Sequence, residues 1–580
     1  MPYRAPADEI RFILDHVVRF PEVAATDRFA EATPDTVSAI LAEAAKLSDG
    51  VLAPLQRVGD THGAILEDGA VRTAPGFADA YAQIAAGGWA SLAGNPEHGG
   101  MGLPFTLAAA VNDMMSGAAL ALGLNPLLTQ GQIETLEAHA SPELKALYLP
   151  KLMSGAWTGT MNLTEPQAGS DVGALTTRAV PNGDGTYALT GQKIYISWGD
   201  HDFGGNVCHL VLARLPDAPR GTRGISLFLV PKFLPDEDGN PGPANALRVV
   251  SLEHKLGLHA SPTCLMAFEG ATGWLVGAEN AGMTAMFTMM NNARVQVGLQ
   301  GIGAAEGAFQ HALAYAMDRK QGRTPVEGAE KGTHKGTGLG TIVDHADVRR
   351  MLVEMQAEIF AARALALACA VAIDMQKATH DPDWAARAAL LTPIAKAYGT
   401  DVGVKVAGLG IQVHGGLGYI EQSGAAQYLR DVRVTTIYEG TNGIQAMDMV
   451  GRKMMDGGEA AHRMFDEGEK VAELARPVLP DLADTVWSAA ETLRETVEWL
   501  VEQDIEERFA GAVPFLAASA RVLGAFYHLK AACAEGRAGP RTALARCYIE
   551  RLLPEYVPLI AQARAGAAGL YAIRPEDLAR

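Results

Sequence analysis

The 580-residue sequence predicts an α+β chain: an N-terminal helical domain (1–157), a central β domain (158–275), a helical bundle (276–455) and an extra C-terminal helical domain (456–580). Three observations predict it. Before residue 157 and after residue 281 apolar residues recur at spacings of three and four, the period of a helix. Between about Thr158 and Gly270 the character changes, and Val207 to Ala213 and Gly224 to Pro231 read as strands separated by Pro216 to Arg223. After Gly457-Gly458 a further helical pattern begins.

Taken in order, Val37, Ile40, Leu41 and Ala44 share one face of a helix starting near Pro34. Pro54, Gly87-Gly88 and the run His98 to Pro104 divide the first region into helices and loops. In the bundle Leu352, Met355 and Ile359 line one face, within helices apolar enough to be packed on all sides. The Gly/Lys-rich stretch Glu327 to Gly340 interrupts it and reads as a solvated loop whose lysines can reach a bound phosphate. In the last region Val486, Ala490, Leu493, Val497 and Leu500 form a stripe, read as core or subunit interface. No repeat has a solenoid period.

Composition narrows the function classes. A net charge of −18 and 48% hydrophobic content fit a large globular chain and argue against nucleic acid as the main partner, because phosphate binding needs a basic surface. The five cysteines, Cys208, Cys264, Cys369, Cys533 and Cys547, lack CxxC spacing and read as buried thiols, not a disulfide framework or metal site. Asp8, Glu9, Arg11 and Asp15 interrupt any signal-peptide pattern. No uninterrupted apolar run approaches the ~18 residues of a membrane span, the longest being Ala364 to Ile373. The expectation is a cytoplasmic protein.

Two motifs carry chemistry. In Tyr438-Glu439-Gly440-Thr441-Asn442-Gly443 a lone carboxylate stands between the β-branched run Val434 to Ile437 and residues that break regular structure, so it lies on a loop, where a scaffold can aim it inward. In Thr164-Glu165-Pro166-Gln167-Ala168-Gly169-Ser170-Asp171, followed by Tyr187 to Ser197, hydroxyls, proline and glycines describe a shaped turn with available backbone amides. Singly, the first is compatible with a surface glutamate and the second with an ordinary β-turn and hairpin.

Together they resemble the acyl-CoA dehydrogenases. Gln412-Val413-His414-Gly415-Gly416, Arg294 and Arg319 fall in the order that family shows, and the match runs from about residue 40 to about residue 455. Within the family the chain is most similar to the long bacterial 3-methylmercaptopropionyl-CoA dehydrogenases, down to Met1-Pro2-Tyr3 and Met289-Met290-Asn291-Asn292-Ala293-Arg294. The resemblance implies FAD, which needs no Rossmann fingerprint in this fold, and an acyl-CoA thioester from which Glu439 removes the α proton while the flavin accepts the β hydrogen as hydride. Both ligands are polyanions, so their sites must be locally basic within an acidic whole. Closing the pocket would dehydrate Glu439 and raise its pKa, and hydrogen bonds to the thioester oxygen, one from the Glu439 N–H, would stabilise the enolate.

The resemblance also assigns the remaining residues. Thr164 and Ser197 match hydroxyls that bond the isoalloxazine ring, with Met161, Leu163 and Ile196 beside them. Tyr195 stands where the family commonly has tryptophan. Ser170 matches a contact to the pantetheine arm and also suits a turn cap with Asp171. Arg319 matches the arginine that holds the FAD pyrophosphate of a neighbouring subunit, Gln321 follows it without the family's usual phenylalanine nearby, and Gln412, Gly415 and Gly416 match the adenine-side loop. Thr441, Asn442 and Gly443 would contact FAD; Tyr438, Gly440, Asn291 and Arg294 would contact the acyl-CoA, Arg294 being equally suited to a structural ion pair. His414 has a structural part. The implied partners are electron-transfer flavoprotein and a second copy in a homodimer.

The expected substrate is 3-(methylthio)propanoyl-CoA, giving 3-(methylthio)acryloyl-CoA. A short- or medium-chain fatty acyl-CoA dehydrogenase or an acyl-CoA oxidase is the alternative of the same mechanism. A flavin monooxygenase, which needs no base, and a non-catalytic helical binding protein are the alternatives of other classes.

Overall fold

A computed structural model describes residues 3–322 and 340–579. They divide into two compact units, one of Pro34–Gln296 and one of Met1–Thr33 with Val297–Arg580. The chain starts in the second with α1 (Ala7–His16) and α2 (Phe20–Ala24).

The unit Pro34–Gln296 begins with α3 (Pro34–Leu47), whose Val37, Leu41, Ala44 and Leu47 are buried, then α4 (Leu55–His62). A hairpin of β1 (Ile65–Glu67) and β2 (Ala70–Arg72) follows, turning at Asp68-Gly69; the helical reading of this region passed over it because its strands are three residues long. Helices α5 (Phe77–Ala86), α6 (Phe105–His139) and α7 (Pro142–Met153) complete the helical part. Helix α6 bends at Ala119, which leaves helical geometry, ahead of Pro126.

The β part comprises β3 (Trp157–Asn162), β4 (Arg178–Pro181), β5 (Tyr187–Ser197), β6 (Asn206–Ala213), β7 (Ser226–Pro231), the small hairpin β8 (Phe233–Pro235) with β9 (Pro241–Ala244), β10 (Leu247–Leu252) and β11 (Thr263–Val276). The large sheet runs β3-β6-β7-β11-β5-β4, with β10 also on β11. Strands β3 and β6 are parallel; the other pairs are antiparallel. Fourteen-residue β11 joins the halves, pairing β5 along its first part and β7 through Trp274 to Val276. Val211, Phe228, Val230, Met266, Phe268 and Leu189 form the core of this sheet.

Helix α8 (Gly282–Asp318) contains the division between the two units. The other unit continues with α9 (Ala346–Thr379), α10 (Pro382–His414), α11 (Ala425–Val432) and α12 (Asn442–Gly451). Asp381 caps α10 by accepting the Asp383 N–H at 2.9 Å, with Pro382 at its first position. Then come α13 (Glu459–Ala475), α14 (Pro480–Val501), α15 (Ile505–Ala510) and α16 (Ala512–Glu535). The stripe Val486, Ala490, Leu493, Val497 and Leu500 is wholly buried in that unit.

Among the described residues two helices, Phe105–His139 and Ala512–Glu535, are long and apolar enough by length and mean composition to cross a bilayer, though polar residues such as Asn112, Asp113 and Arg521 interrupt both. Their most apolar windows are 100% and 83% buried within the protein. Cys208, Cys264 and Cys369 are buried, and Cys533 and Cys547 half-buried. The stretch Glu327 to Gly340 lies outside the described residues apart from Gly340.

Candidate active site

Each unit carries its own set of the residues singled out above. In the unit Pro34–Gln296 the turn after β3 is organised around Glu165, 2% exposed. Its Oε1 accepts from Thr177 N (3.1 Å), Thr177 Oγ1 (2.6 Å) and Lys193 Nζ (2.8 Å). Its Oε2 accepts from Thr176 N (2.7 Å), Thr176 Oγ1 (2.8 Å) and Gln167 Nε2 (2.7 Å). Burial opposes this charge, yet Lys193 and the threonine donors outweigh it and hold the carboxyl down to about 2. Lys193, with no exposed surface, is lowered to about 8 by burial, which Glu165 offsets only in part. Its Nζ also donates to the Leu163 carbonyl at 3.0 Å, and Ile194 N donates to the Thr164 carbonyl at 2.9 Å. The turn bearing Met161, Leu163 and Thr164 is thereby fixed to β5.

Where β5 pairs β11, Lys193 faces Met266 and Ile196 faces Cys264, so Ile194 and Tyr195 together oppose Leu265. This bulge gives Tyr195 a φ of 60° and presents its ring at 62% exposure. Ile196 turns into the core and Ser197 is half-buried beside it. The next residue, Trp198, also has positive φ (54°) and is buried, donating Nε1–H to the Ala121 carbonyl at 3.1 Å. Ser170 is exposed, and the turn cap belongs to Asp171, whose carboxylate accepts the Gly173 N–H at 3.0 Å. On α8, Asn291 is exposed and Arg294 buried.

In the other unit Glu439 sits on a turn whose entry is a 3-10 segment, Arg433–Thr436. Glu439 has φ 55° and Gly440 φ 83°; a non-glycine residue in the left-handed region costs ~1–3 kcal/mol and persists only where its surroundings impose it. Thr441 caps α12, its hydroxyl accepting the Ile444 N–H at 3.2 Å. Gln445 Nε2 donates to the Glu439 carbonyl at 3.2 Å. Tyr438 donates its hydroxyl to Gln300 Oε1 on α8, and burial, then the Glu439 charge, keep that phenol protonated. Gly443 opens α12 at its second position. The Asn442 carboxamide is bonded to α10, as detailed below.

Arg319 and Gln321 follow the end of α8, and Gln412, Gly415 and Gly416 lie at the end of α10; all five are exposed in the single chain. The Arg319 carbonyl accepts the Ile342 N–H at 2.8 Å. His414 is buried, its Nδ1 donating to the Gly410 carbonyl at 2.7 Å and its ring stacked on His311 (4.7 Å) and Tyr315 (4.5 Å), and burial lowers its pKa. These contacts agree with a structural part.

Four segments match family models: residues 38–156 the acyl-CoA dehydrogenase N-terminal domain, 160–271 its middle domain, 280–329 with 332–455 its C-terminal domain, and 464–574 the acetyl-CoA dehydrogenase C-terminal like domain. The chain belongs to the acyl-CoA dehydrogenase family. As such it is an oxidoreductase acting on CH–CH groups. A 3-methylmercaptopropionyl-CoA dehydrogenase of Ruegeria pomeroyi is 46% identical over 529 residues, covering 89% of this chain and 88% of that protein. A butyryl-CoA dehydrogenase of Syntrophomonas wolfei is 39% identical over 65% of this chain and 63% of its own. The crystal structure of Caenorhabditis elegans ACDH-11 in complex with C11-CoA superposes with a TM-score of 0.81, covering 98% of this chain and 94% of that one; at 21% identity this bears on the fold.

In this acyl-CoA dehydrogenase the structure adds residues that sequence reasoning missed: Lys193 with Glu165 behind the β3 turn, and Gln300 and Lys396 behind the Glu439 turn. Lys193 had a legible signal, a charge at an inward position of a strand. Lys396 had a similar one, a charge within the apolar run of α10. Gln300 had none.

Proposed function

We propose that the protein oxidises 3-(methylthio)propanoyl-CoA to 3-(methylthio)acryloyl-CoA with FAD and passes the electrons to electron-transfer flavoprotein. The observation that carries the chemistry is Glu439: a carboxylate held in left-handed geometry, its neighbours Tyr438 and Asn442 each bonded to a different helix. The 46% identity to the Ruegeria pomeroyi enzyme supports the substrate.

The residues present fit FAD. Tyr195 offers an exposed aromatic face, and Thr164 and Ser197 offer half-buried hydroxyls on segments joined by the Thr164–Ile194 bond. At Gly415 and Gly416 a Cβ would meet nothing within 4 Å, leaving their backbone open to a ligand. With its ring held at Thr164, Tyr195 and Ser197, FAD would supply the acceptor for the β hydride. The chain's residues do the rest. Glu439 takes the α proton onto its carboxylate, its N–H stabilises the enolate oxygen, and Ser170, Asn291, Arg294, Tyr438 and Gly440 hold the acyl-CoA. Exposed Arg319, Gln321, Gln412, Gly415 and Gly416 suit contact with the FAD of a second subunit, which supports a homodimer. Buried free thiols suit a cytoplasmic location.

The test is an anaerobic titration of the FAD-loaded protein with 3-(methylthio)propanoyl-, butanoyl- and octanoyl-CoA, following the flavin band. Strongest bleaching by the thioether is expected, with butanoyl-CoA close behind because the two acyl groups are similar in length. Strongest bleaching by octanoyl-CoA would refute the substrate assignment. Glu439→Gln is expected to abolish bleaching with FAD retained.

A further inference from the structure

The turn that carries Glu439 is held from behind by a buried cation that bonds Asn442, three residues after the base. The Asn442 Oδ1 accepts from Lys396 Nζ at 2.9 Å and from Thr400 Oγ1 at 3.3 Å. Its Nδ2 faces Asp401 Oδ1 at 2.7 Å, Thr400 Oγ1 at 3.0 Å and the Ala397 carbonyl at 3.2 Å. A single carboxamide is thus spread between an ammonium and a carboxylate, both from α10. Lys396 has no exposed surface. Burial of an ammonium is expensive unless it is bonded, so its presence here calls for a reason beyond solubility. Burial raises the Asp401 pKa, while the Asn442 bond and the Lys396 charge oppose that rise.

Helix α10 is itself set against α8 without freedom to slide. A Cβ on Gly399 would stand 2.6 Å from the Gly298 carbonyl oxygen, and one on Gly403 would stand 2.7 Å from that of Gly301. Backbones so close that a Cβ has no room between them fix the two helices in register. One of them gives Gln300 to Tyr438; the other gives Lys396, Thr400 and Asp401 to Asn442. The residue before the base and the third residue after it are therefore each tied to a rigid element, with the left-handed pair Glu439-Gly440 between them.

We propose that Lys396 is a positioning residue for Glu439. Through Asn442 it fixes the turn so that the carboxylate stands where the α C–H of a bound acyl thioester is presented. This rests on the reading of Glu439 as the base.

The test separates proton removal from oxidation. Acetyl-CoA has α hydrogens and no β carbon, so in D₂O its α C–H bond breaks, the proton passes to the Glu439 carboxylate and the electron pair to the thioester enolate. A deuteron then returns to carbon, and no electrons leave. Isotope uptake is followed by mass spectrometry on the FAD-loaded protein, and acetyl-CoA binding by equilibrium dialysis. Lys396→Met is expected to slow exchange about 10²-fold, the scale of a misplaced reacting group, with the dissociation constant unchanged. Thr400→Val keeps the lysine and removes the hydroxyl between the two sides of the amide. It is expected to slow exchange about 10-fold, a smaller share of the same misplacement effect, and carries the test if Lys396→Met does not fold. Glu439→Gln is the control: exchange persisting in it refutes the base itself. Exchange abolished in Glu439→Gln but at the wild-type rate in Lys396→Met, or in Thr400→Val where the former does not fold, overturns the positioning role. So does a loss of exchange that merely follows a loss of binding.

Discussion

Replacing Lys193 by methionine is expected to damage the protein far more than replacing Lys193 and Glu165 together. Depression of the Glu165 carboxyl from 4.5 to about 2 corresponds to about 3 kcal/mol of stabilisation. Its sign follows from the lowered pKa: the contribution is complete above the unfolded value and is lost as pH falls toward about 2. Lowering of Lys193 from 10.5 to about 8 works oppositely, a cost of about 3 kcal/mol that is complete below pH 8. At pH 7 the two act in opposite directions, and the attraction between the partners enters both. Lys193→Met leaves the carboxylate buried without its cation, and Glu165→Gln leaves an unpaired buried ammonium; each is expected to lose about 3–5 kcal/mol. The double variant is expected to lose about 1 kcal/mol, giving a coupling of at least about 5 kcal/mol. Urea unfolding at pH 7, followed by fluorescence of Trp157 and Trp198, both buried in the same unit, measures all three. A double-variant loss equal to the sum of the single losses would mean that Lys193 and Glu165 are not coupled.

Two further outcomes concern the other unit. Arg521 donates to buried Glu358 at 2.6 Å, beside Lys405 at 2.8 Å and the Tyr398 hydroxyl, and burial of Glu358 is outweighed by these charges, holding its carboxyl down to about 2. Arg521→Met is expected to cost about 3–5 kcal/mol and, because the carboxyl then protonates at higher pH, to move acid unfolding upward in pH, as circular dichroism across an acid titration would show. Gly399→Ala places a Cβ against the Gly298 carbonyl, where no side chain can yield. A loss of at least about 1–3 kcal/mol is expected in thermal unfolding, with slower flavin reduction because α8 and α10 both hold the Glu439 turn.

Much of the fold was legible because its signals are local. The strands read at Val207 to Ala213 and Gly224 to Pro231 appear as Asn206–Ala213 and Ser226–Pro231, since β-branched runs bounded by turn residues declare themselves within ten residues. The helix from Pro34 and the stripe from Val486 to Leu500 appear for the same reason. The short hairpin at Ile65–Arg72 did not announce itself, and Phe105–His139 reads as a span by hydropathy because a helix buried on all sides is apolar on all sides.

The order of the helical and β regions, the family and the loop on which Glu439 stands can all be read from the linear chain, because period, turn chemistry and motif are properties of neighbouring residues. How those loops are held depends on long-range packing. Lys396 reaches Asn442 across 46 positions and Lys193 reaches Glu165 across 28. A lysine in a helix or strand has the same local preferences whether its ammonium meets water or a buried amide. Likewise the outward turn of Tyr195 comes from a bulge against β11, and the close approach of α8 to α10 from glycines a hundred residues apart. Burial and partner are set by what packs from the far side, and that information exists only once the chain has closed on itself.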